Sequence, residues 1–194
     1  NIECTLYVPD RVKEGFGPNI KALQFLESTH SLIICVDCGT LSHQAIESLS
    51  ASDLIVLDHH LASEILPKCY AVVNPNRQDE LGDLSHLCAA AVVFLCLVEM
   101  RRLLRLNAEE SPDLLNMLDL VALATVADVA PLVGVNRAFV RQGLKILAGR
   151  KRIGLAALSD QIKIDQELSA YHLGFLLGPR INAGGRIGKS DLGA

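Results

Sequence analysis

No apolar stretch in the 194 residues is long enough to cross a bilayer. The longest, Leu87 to Val98, is 12 residues, against the roughly 18 required. No basic amino-terminal segment leads into an apolar core of the kind that marks a secretory signal. Positive charge is not in excess either: 18 Lys and Arg face 22 Asp and Glu, a formal net charge of −4. That balance excludes indiscriminate polyanion binding and leaves room only for a local basic track. Internal repeats and low-complexity tracts are absent. Half of the residues are hydrophobic, whereas disordered chains are poor in apolar residues. One large domain or two small ones, with a sizeable core, is the expectation. The chain begins at Asn1 without an initiator Met, so it is expected to be a piece of a longer protein.

Six cysteines (Cys4, Cys35, Cys38, Cys69, Cys88 and Cys96) sit mostly inside apolar runs and read as reduced, buried thiols rather than a disulfide framework. Cys35-Val36-Asp37-Cys38 has redox or zinc spacing. No second Cys pair accompanies it, and Cys35 lies in a β-branched run rather than at a helix start, which favours a structural role.

In the first third, apolar runs alternate with helical patterns. Cys4–Val8, Leu32–Val36, Leu54–Leu57 and Tyr70–Val73 read as strands, with helices over Asn19–Glu27 and Leu41–Leu49. The run Leu32–Val36 is continuously apolar, as in a strand covered on both faces. The alternation predicts an α/β fold with a parallel sheet of about four to five strands flanked by helices. A mainly helical part follows: Leu87–Leu106, a helix ending near Val129 before Pro131, Arg137–Leu147, Leu155–Gln161 and Ser169–Leu177.

Two strands end in aspartates, Val36-Asp37-Cys38-Gly39 and Leu57-Asp58-His59-His60. Asp37 and Asp58 are therefore placed together at the carboxyl edge of neighbouring strands, where open α/β sheets bind ligands. Each also fits as a cap of the following helix. Carboxylate and imidazole donors together suit Mn²⁺, Zn²⁺ or Fe²⁺ better than calcium. Consecutive residues leaving a strand point apart, so His59 and His60 are expected to do different jobs: one as ligand, one toward substrate, with Asp58 orienting an imidazole.

Asp128 lies inside the apolar helical stretch Leu120–Pro131, where a charge needs a partner or a cation. At about 100° per residue Asp119 falls on the opposite helix face and does not serve. Gly178-Pro179-Arg180-Ile181-Asn182-Ala183-Gly184-Gly185-Arg186 reads either as a surface turn or as a loop presenting backbone N–H groups and arginines to phosphate. Arg137, Arg141, Arg150, Lys151 and Arg152 read as a solvated face rather than a nucleic-acid track.

Tyr7-Val8-Pro9-Asp10-Arg11, Glu14-Gly15-Phe16-Gly17, Val36-Asp37-Cys38-Gly39, Asp58-His59-His60, Asn74-Pro75, Thr125–Leu132, Asn136-Arg137 and Gly178–Ala183 occur in an order that resembles the RecJ family. That family comprises bacterial single-stranded-DNA-specific 5′→3′ exonucleases within the DHH phosphoesterase superfamily, and the resemblance spans essentially the whole chain. It implies a DHH phosphoesterase domain over 1–177, with 178–194 opening a connector toward a second, DHHA1-type domain. It also implies two divalent ions, Mn²⁺ or Mg²⁺, with Asp37 bridging them and His59 and Asp128 on the second. By the same resemblance His60 faces the scissile phosphate with Asp58 beside it in the catalytic set, and Arg180, Asn182, Arg186 and Arg11 meet substrate phosphate. The implied reaction is attack of metal-activated water on a phosphodiester of single-stranded DNA, releasing 5′-mononucleotides in repair and recombination. Cytoplasmic placement and partnership with a single-stranded-DNA-binding protein and a helicase, with no membrane, go with it.

The family's Asp-x-Asp-x-Asp-Gly motif, which supplies further ligands of the first ion, does not occur in these residues. Gly184 stands where the family more usually has Ala. The chain as given is therefore expected to bind at most one metal loosely and to be weak or inactive as a nuclease. Two other readings stay open: a DHH phosphoesterase acting on short oligonucleotides or small phosphorylated nucleotides, and a non-catalytic DHH-like scaffold.

Overall fold

The computed structural model describes residues 3–11, 13–104, 112–164 and 166–187, with side chains through residue 184. Three parallel strands, β1 (Leu32–Val36), β2 (Asp53–Leu57) and β3 (Ala71–Val73), form a sheet in the order β1-β2-β3. The register pairs Val36 with Leu57 and Leu57 with Val73, so the carboxyl ends of the strands are flush. Helix α1 (Ile20–Glu27) starts at Asn19, whose side chain accepts from the Ala22 amide at 2.9 Å, a standard N-cap. Helix α1 and the short α2 (His43–Glu47) cover one face of the sheet. There Leu23, Ile33, Ala45, Ile46, Leu54 and Val56 form one apolar cluster. Burying side chains of this size contributes about 1.5–3 kcal/mol each.

The sheet has fewer strands than the sequence predicts: three among the described residues, not four to five. Cys4–Val8 has a strand-like composition, yet every residue of it is exposed and none pairs in a ladder. It is held by side-chain contacts instead, Tyr7 donating to Glu14 and Thr5 meeting the His30 ring at 2.9 Å. A strand exists only against a neighbour, and composition alone does not provide one. The expectation that β1 is covered on both faces also fails. Its burial alternates, with Leu32, Ile34 and Val36 outward, because α3 (Ala89–Leu104) packs against β2 instead.

The remaining chain is helical. A 3₁₀ turn (Leu114–Met117) leads into α4 (Leu118–Ala127), followed by α5 (Gly134–Ala148), α6 (Ile153–Gln161), a π-helical segment (His172–Leu177) and α7 (Gly178–Ile187). Helix α4 is apolar nearly all round and is buried accordingly. It crosses α5 so closely that a Cβ at Gly143 would lie 2.1 Å from the Leu118 carbonyl oxygen, leaving room for glycine alone. No described helix is long and apolar enough to cross a membrane.

The basic residues after α5 are not a uniformly solvated face. Arg152 forms a two-pronged pair with the buried Asp119, at 2.8 and 3.0 Å, and Arg150 pairs with Asp160 at 2.6 Å. All six cysteines are free thiols, but only Cys35 and Cys88 are buried and Cys4 is exposed, fewer than their apolar surroundings predict.

Candidate metal centre

The flush strand ends bring Asp37 and Asp58 to one edge of the sheet. The Asp37 amide donates to the Leu57 carbonyl and the Asp58 amide to the Val73 carbonyl, both at 3.0 Å. Each residue is thus tied to the strand beside it as the chain leaves the sheet. Asp37 then turns into the left-handed region, φ +62°, which Asp adopts more readily than most residues. This turn directs its carboxylate toward the end of β2.

Asp58 and the two histidines separate as expected for consecutive residues. The Asp58 carboxylate is buried, at 1% exposure. It accepts from the Thr40 amide (3.1 Å), the His59 amide (2.8 Å) and the His60 amide (3.3 Å), and from His60 Nδ1 at 2.7 Å. Burial pushes its pKa up, but the hydrogen bonds from Thr40, His60 and His59 outweigh that and hold it at about 2. Asp58 is therefore an anion at all ordinary pH. It fixes His60 with Nδ1 inward, leaving Nε2 of this half-exposed ring for the open side. The hydrogen bond to Asp58 first, then the charges of Asp58, Asp37 and Asp128, raise the His60 pKa against a smaller desolvation cost.

His59 turns the other way. Its Nδ1 lies 3.1 Å from the Leu87 carbonyl oxygen. A carbonyl only accepts, so Nδ1 carries the proton and Nε2 presents its lone pair. That lone pair faces Asp37 Oδ1 at 3.2 Å and Asp128 Oδ2 at 3.6 Å. Ligand atoms of Asp37, His59 and His60 also lie within 4.8 Å of one another. Two carboxylates converging on an imidazole lone pair repel unless a proton or a cation sits among them. Desolvation in this cluster, then the charges of Asp128 and Asp58, push the Asp37 carboxyl above its usual range, against the pull of the two imidazoles. Oxygen and nitrogen donors arranged this way, with the imidazole tautomer set by a backbone carbonyl, fit a divalent cation.

Asp128 is not inside an apolar helix, as the sequence predicts, but caps the carboxyl end of α4 and is half-exposed. Val129, at φ +57°, ends the helix: the Ala130 amide reaches the Thr125 carbonyl at 3.0 Å and the Val129 amide the Val126 carbonyl at 3.1 Å. This is a Schellman closure with a β-branched residue where glycine is usual. A carboxylate at this end of a helix meets the negative pole of the helix dipole, a further reason for it to seek positive charge.

Three asparagines hold the frame, and their role was not read from the sequence. Asn74 donates to Thr40 Oγ1 (2.9 Å) and the His60 carbonyl (2.8 Å), and Asn76 to the His59 carbonyl (2.6 Å). Asn136, fully buried, donates to the His86 carbonyl (2.7 Å) and the Pro131 carbonyl (3.0 Å). It ties the turn after Asp128 to the segment that orients His59. In the sequence Asn74-Pro75 and Asn136-Arg137 carry a signal only as motif letters, because the burial of Asn74 and Asn136 is set by tertiary packing.

The glycine-rich segment is a helix, not a loop. Gly178 opens α7, and a Cβ there would lie 2.9 Å from the Leu173 carbonyl oxygen and 3.0 Å from Ala127 Cβ. The glycine serves close packing against the residue before Asp128, and helical hydrogen bonds occupy backbone N–H groups expected to cradle phosphate. Arg180 is exposed and donates to the Leu176 carbonyl at 2.8 Å, and Asn182 is exposed. The Arg186 side chain lies outside the described residues. The Arg11 guanidinium sits 5.4 Å from the centre of the Phe16 ring.

A parallel sheet carrying a carboxylate–imidazole cluster at the carboxyl ends of its strands defines an α/β protein with a candidate divalent-cation site at the sheet edge. The chain belongs to the DHH family: residues 1–125 match the family's N-terminal domain. It is 39% identical to the single-stranded-DNA-specific exonuclease RecJ of Dickeya dadantii (strain 3937), over 98% of this chain and 35% of that protein. It is 38% identical to the RecJ of Escherichia coli (strain K12), over 96% of this chain and 34% of that protein. The crystal structure of exonuclease RecJ bound to manganese superposes with a TM-score of 0.80 at 31% identity, covering 95% of this chain and 46% of that one. The chain thus spans about a third of the length of the relatives it matches.

Proposed function

We propose that these residues form part of the catalytic core of a metal-dependent exonuclease that degrades single-stranded DNA from the 5′ end to mononucleotides. The observation that carries this reading is the convergence of Asp37 and Asp128 on the lone pair of His59. Asp37, His59 and Asp128 hold a divalent cation, Mn²⁺ or Mg²⁺, which when bound acidifies water and neutralises charge on phosphate. His60, anchored through Nδ1 by the permanently ionised Asp58, keeps a donor on Nε2 for a phosphoryl oxygen. Its raised pKa extends the range in which that donor is protonated. The likeness to single-stranded-DNA-specific exonucleases supports the substrate class over small phosphorylated nucleotides, and the retention of all five acidic and imidazole groups argues against a scaffold.

A second ion needs donors besides these three. No Asp-x-Asp-x-Asp-Gly motif occurs in the 194 residues, so this chain by itself turns over DNA slowly or not at all. Arg180, Asn182, Arg186 and Arg11 are proposed to contact the substrate backbone. Work on DNA implies cytoplasmic placement and encounters with single-strand-binding protein and helicase.

The test is Mn²⁺-dependent release of nucleotides from 5′-labelled and 3′-labelled single strands by the full-length protein carrying these residues. Mononucleotides appearing first from the 5′ end, with duplex DNA spared, is the expected result. Preferential hydrolysis of dinucleotides, or none of any substrate, would overturn it.

A further inference from the structure

Helix α5 carries Arg137, Arg141 and Lys145 at intervals of four residues, so the three cations form one stripe along the helix. All three line an open cleft of about 660 Å³. None of their side chains makes a hydrogen bond or ion pair to any described residue, in contrast to Arg77, Arg102, Arg150 and Arg152, which each pair with a carboxylate. Unpaired cations gathered on one face of an acidic chain repel each other, which is unfavourable unless an anion joins them. Glu167 also borders the cleft but lies beyond ion-pair distance of all three, leaving the surface net positive.

The cleft is connected to Asp128 through the chain. Leu132, four residues beyond Asp128, lines it, and Asn136 at the start of α5 holds the intervening turn through the Pro131 carbonyl. From there the cations follow one another at about 6 Å along the helix axis. At that interval the three long side chains reach successive phosphates of one polynucleotide strand. Leu132 and Leu168 give the cleft apolar surface on which an unstacked base can rest.

We propose that this face of α5 is a track for the phosphodiester backbone of a single-stranded polynucleotide, with Arg137, Arg141 and Lys145 each meeting one phosphate as the strand passes the Asp37–His59–Asp128 cluster. The track rests on the nuclease reading above and adds a binding surface outside the cluster.

The test compares the full-length protein with its Arg137→Gln/Arg141→Gln/Lys145→Gln variant, binding a long oligothymidylate at a series of salt concentrations. Three lost contacts make the slope of log K against log salt shallower by about 2, while hydrolysis of a thymidine dinucleotide, too short to reach the track, stays at the wild-type rate. Glu167→Gln tightens binding. If the triple variant does not melt cooperatively, Arg141→Gln alone carries the test, with a change of about 0.7. A slope equal to wild type overturns the track and leaves the nuclease reading standing. Failure of the wild-type protein to bind single strands or hydrolyse DNA overturns both.

Discussion

Nδ1 of His59 lies 3.1 Å from the carbonyl oxygen of Leu87, and that contact decides which nitrogen the ring offers to the acidic pair opposite. The carbonyl is available because α3 begins two residues later, at Ala89. A helix start thereby sets the tautomer of a histidine that leaves a strand.

The frame behind this contact is testable through Asn136, which touches none of the proposed ligands. Asn136→Ala deprives the His86 and Pro131 carbonyls of their donor. Mn²⁺ affinity measured by calorimetry is expected to fall about tenfold, the effect of losing a group that positions a ligand. Far-ultraviolet circular dichroism should be unchanged.

Asp58 should reveal itself in the pH dependence of stability. Its folded pKa is about 2, below the roughly 3.9 of an unfolded aspartate. Its contribution is therefore complete above about pH 4 and lost as pH falls toward 2, amounting to about 2 kcal/mol. Denaturant unfolding across that range measures it. Asp58→Ala strands the Thr40 amide and the His60 ring, is expected to cost about 3 kcal/mol at neutral pH, and should flatten the acid limb.

Asp37 is expected to behave in the opposite sense. Its folded pKa is raised, so its ionisation removes stability as pH rises from the unfolded toward the folded value. Asp37→Asn keeps a side chain that tolerates left-handed backbone and removes the charge. Without metal, its melting temperature at neutral pH should exceed that of the wild type. Added Mn²⁺ should raise the melting temperature of the wild type and leave Asp37→Asn unmoved.

Gly143 tests the helical packing that carries Asp128. Gly143→Ala places a methyl group against the Leu118 carbonyl and Ala122 and should cost about 3 kcal/mol. Thermal unfolding checks it directly.

Strands β1, β2 and β3 were legible because short β-branched runs bounded by turn residues carry their own signal. So was the gathering of Asp37, Asp58, His59 and His60, since parallel neighbours must end at the same edge. Cys4–Val8 misled because pairing is a tertiary property that composition does not contain. The helical state of Gly178–Ile187 was hidden for a related reason. Gly178, which looks like freedom in a sequence, is against Ala127 and the Leu173 carbonyl the residue small enough to fit. Asp128 was expected inside α4 and instead caps it, since Val129 ends the helix in a conformation that its side chain disfavours. The pairing of Asp119 with Arg152 depends on how α6 folds back on α4, which no local pattern encodes.

The most direct measurement is Mn²⁺ binding, followed by electron paramagnetic resonance, to the wild-type chain and to Asp37→Ala, His59→Ala and Asp128→Ala. Each single replacement is predicted to weaken or abolish binding of the same ion, with the imidazole nitrogen coupling missing only in His59→Ala. Wild-type affinity and an unaltered nitrogen coupling in all three variants would contradict the account.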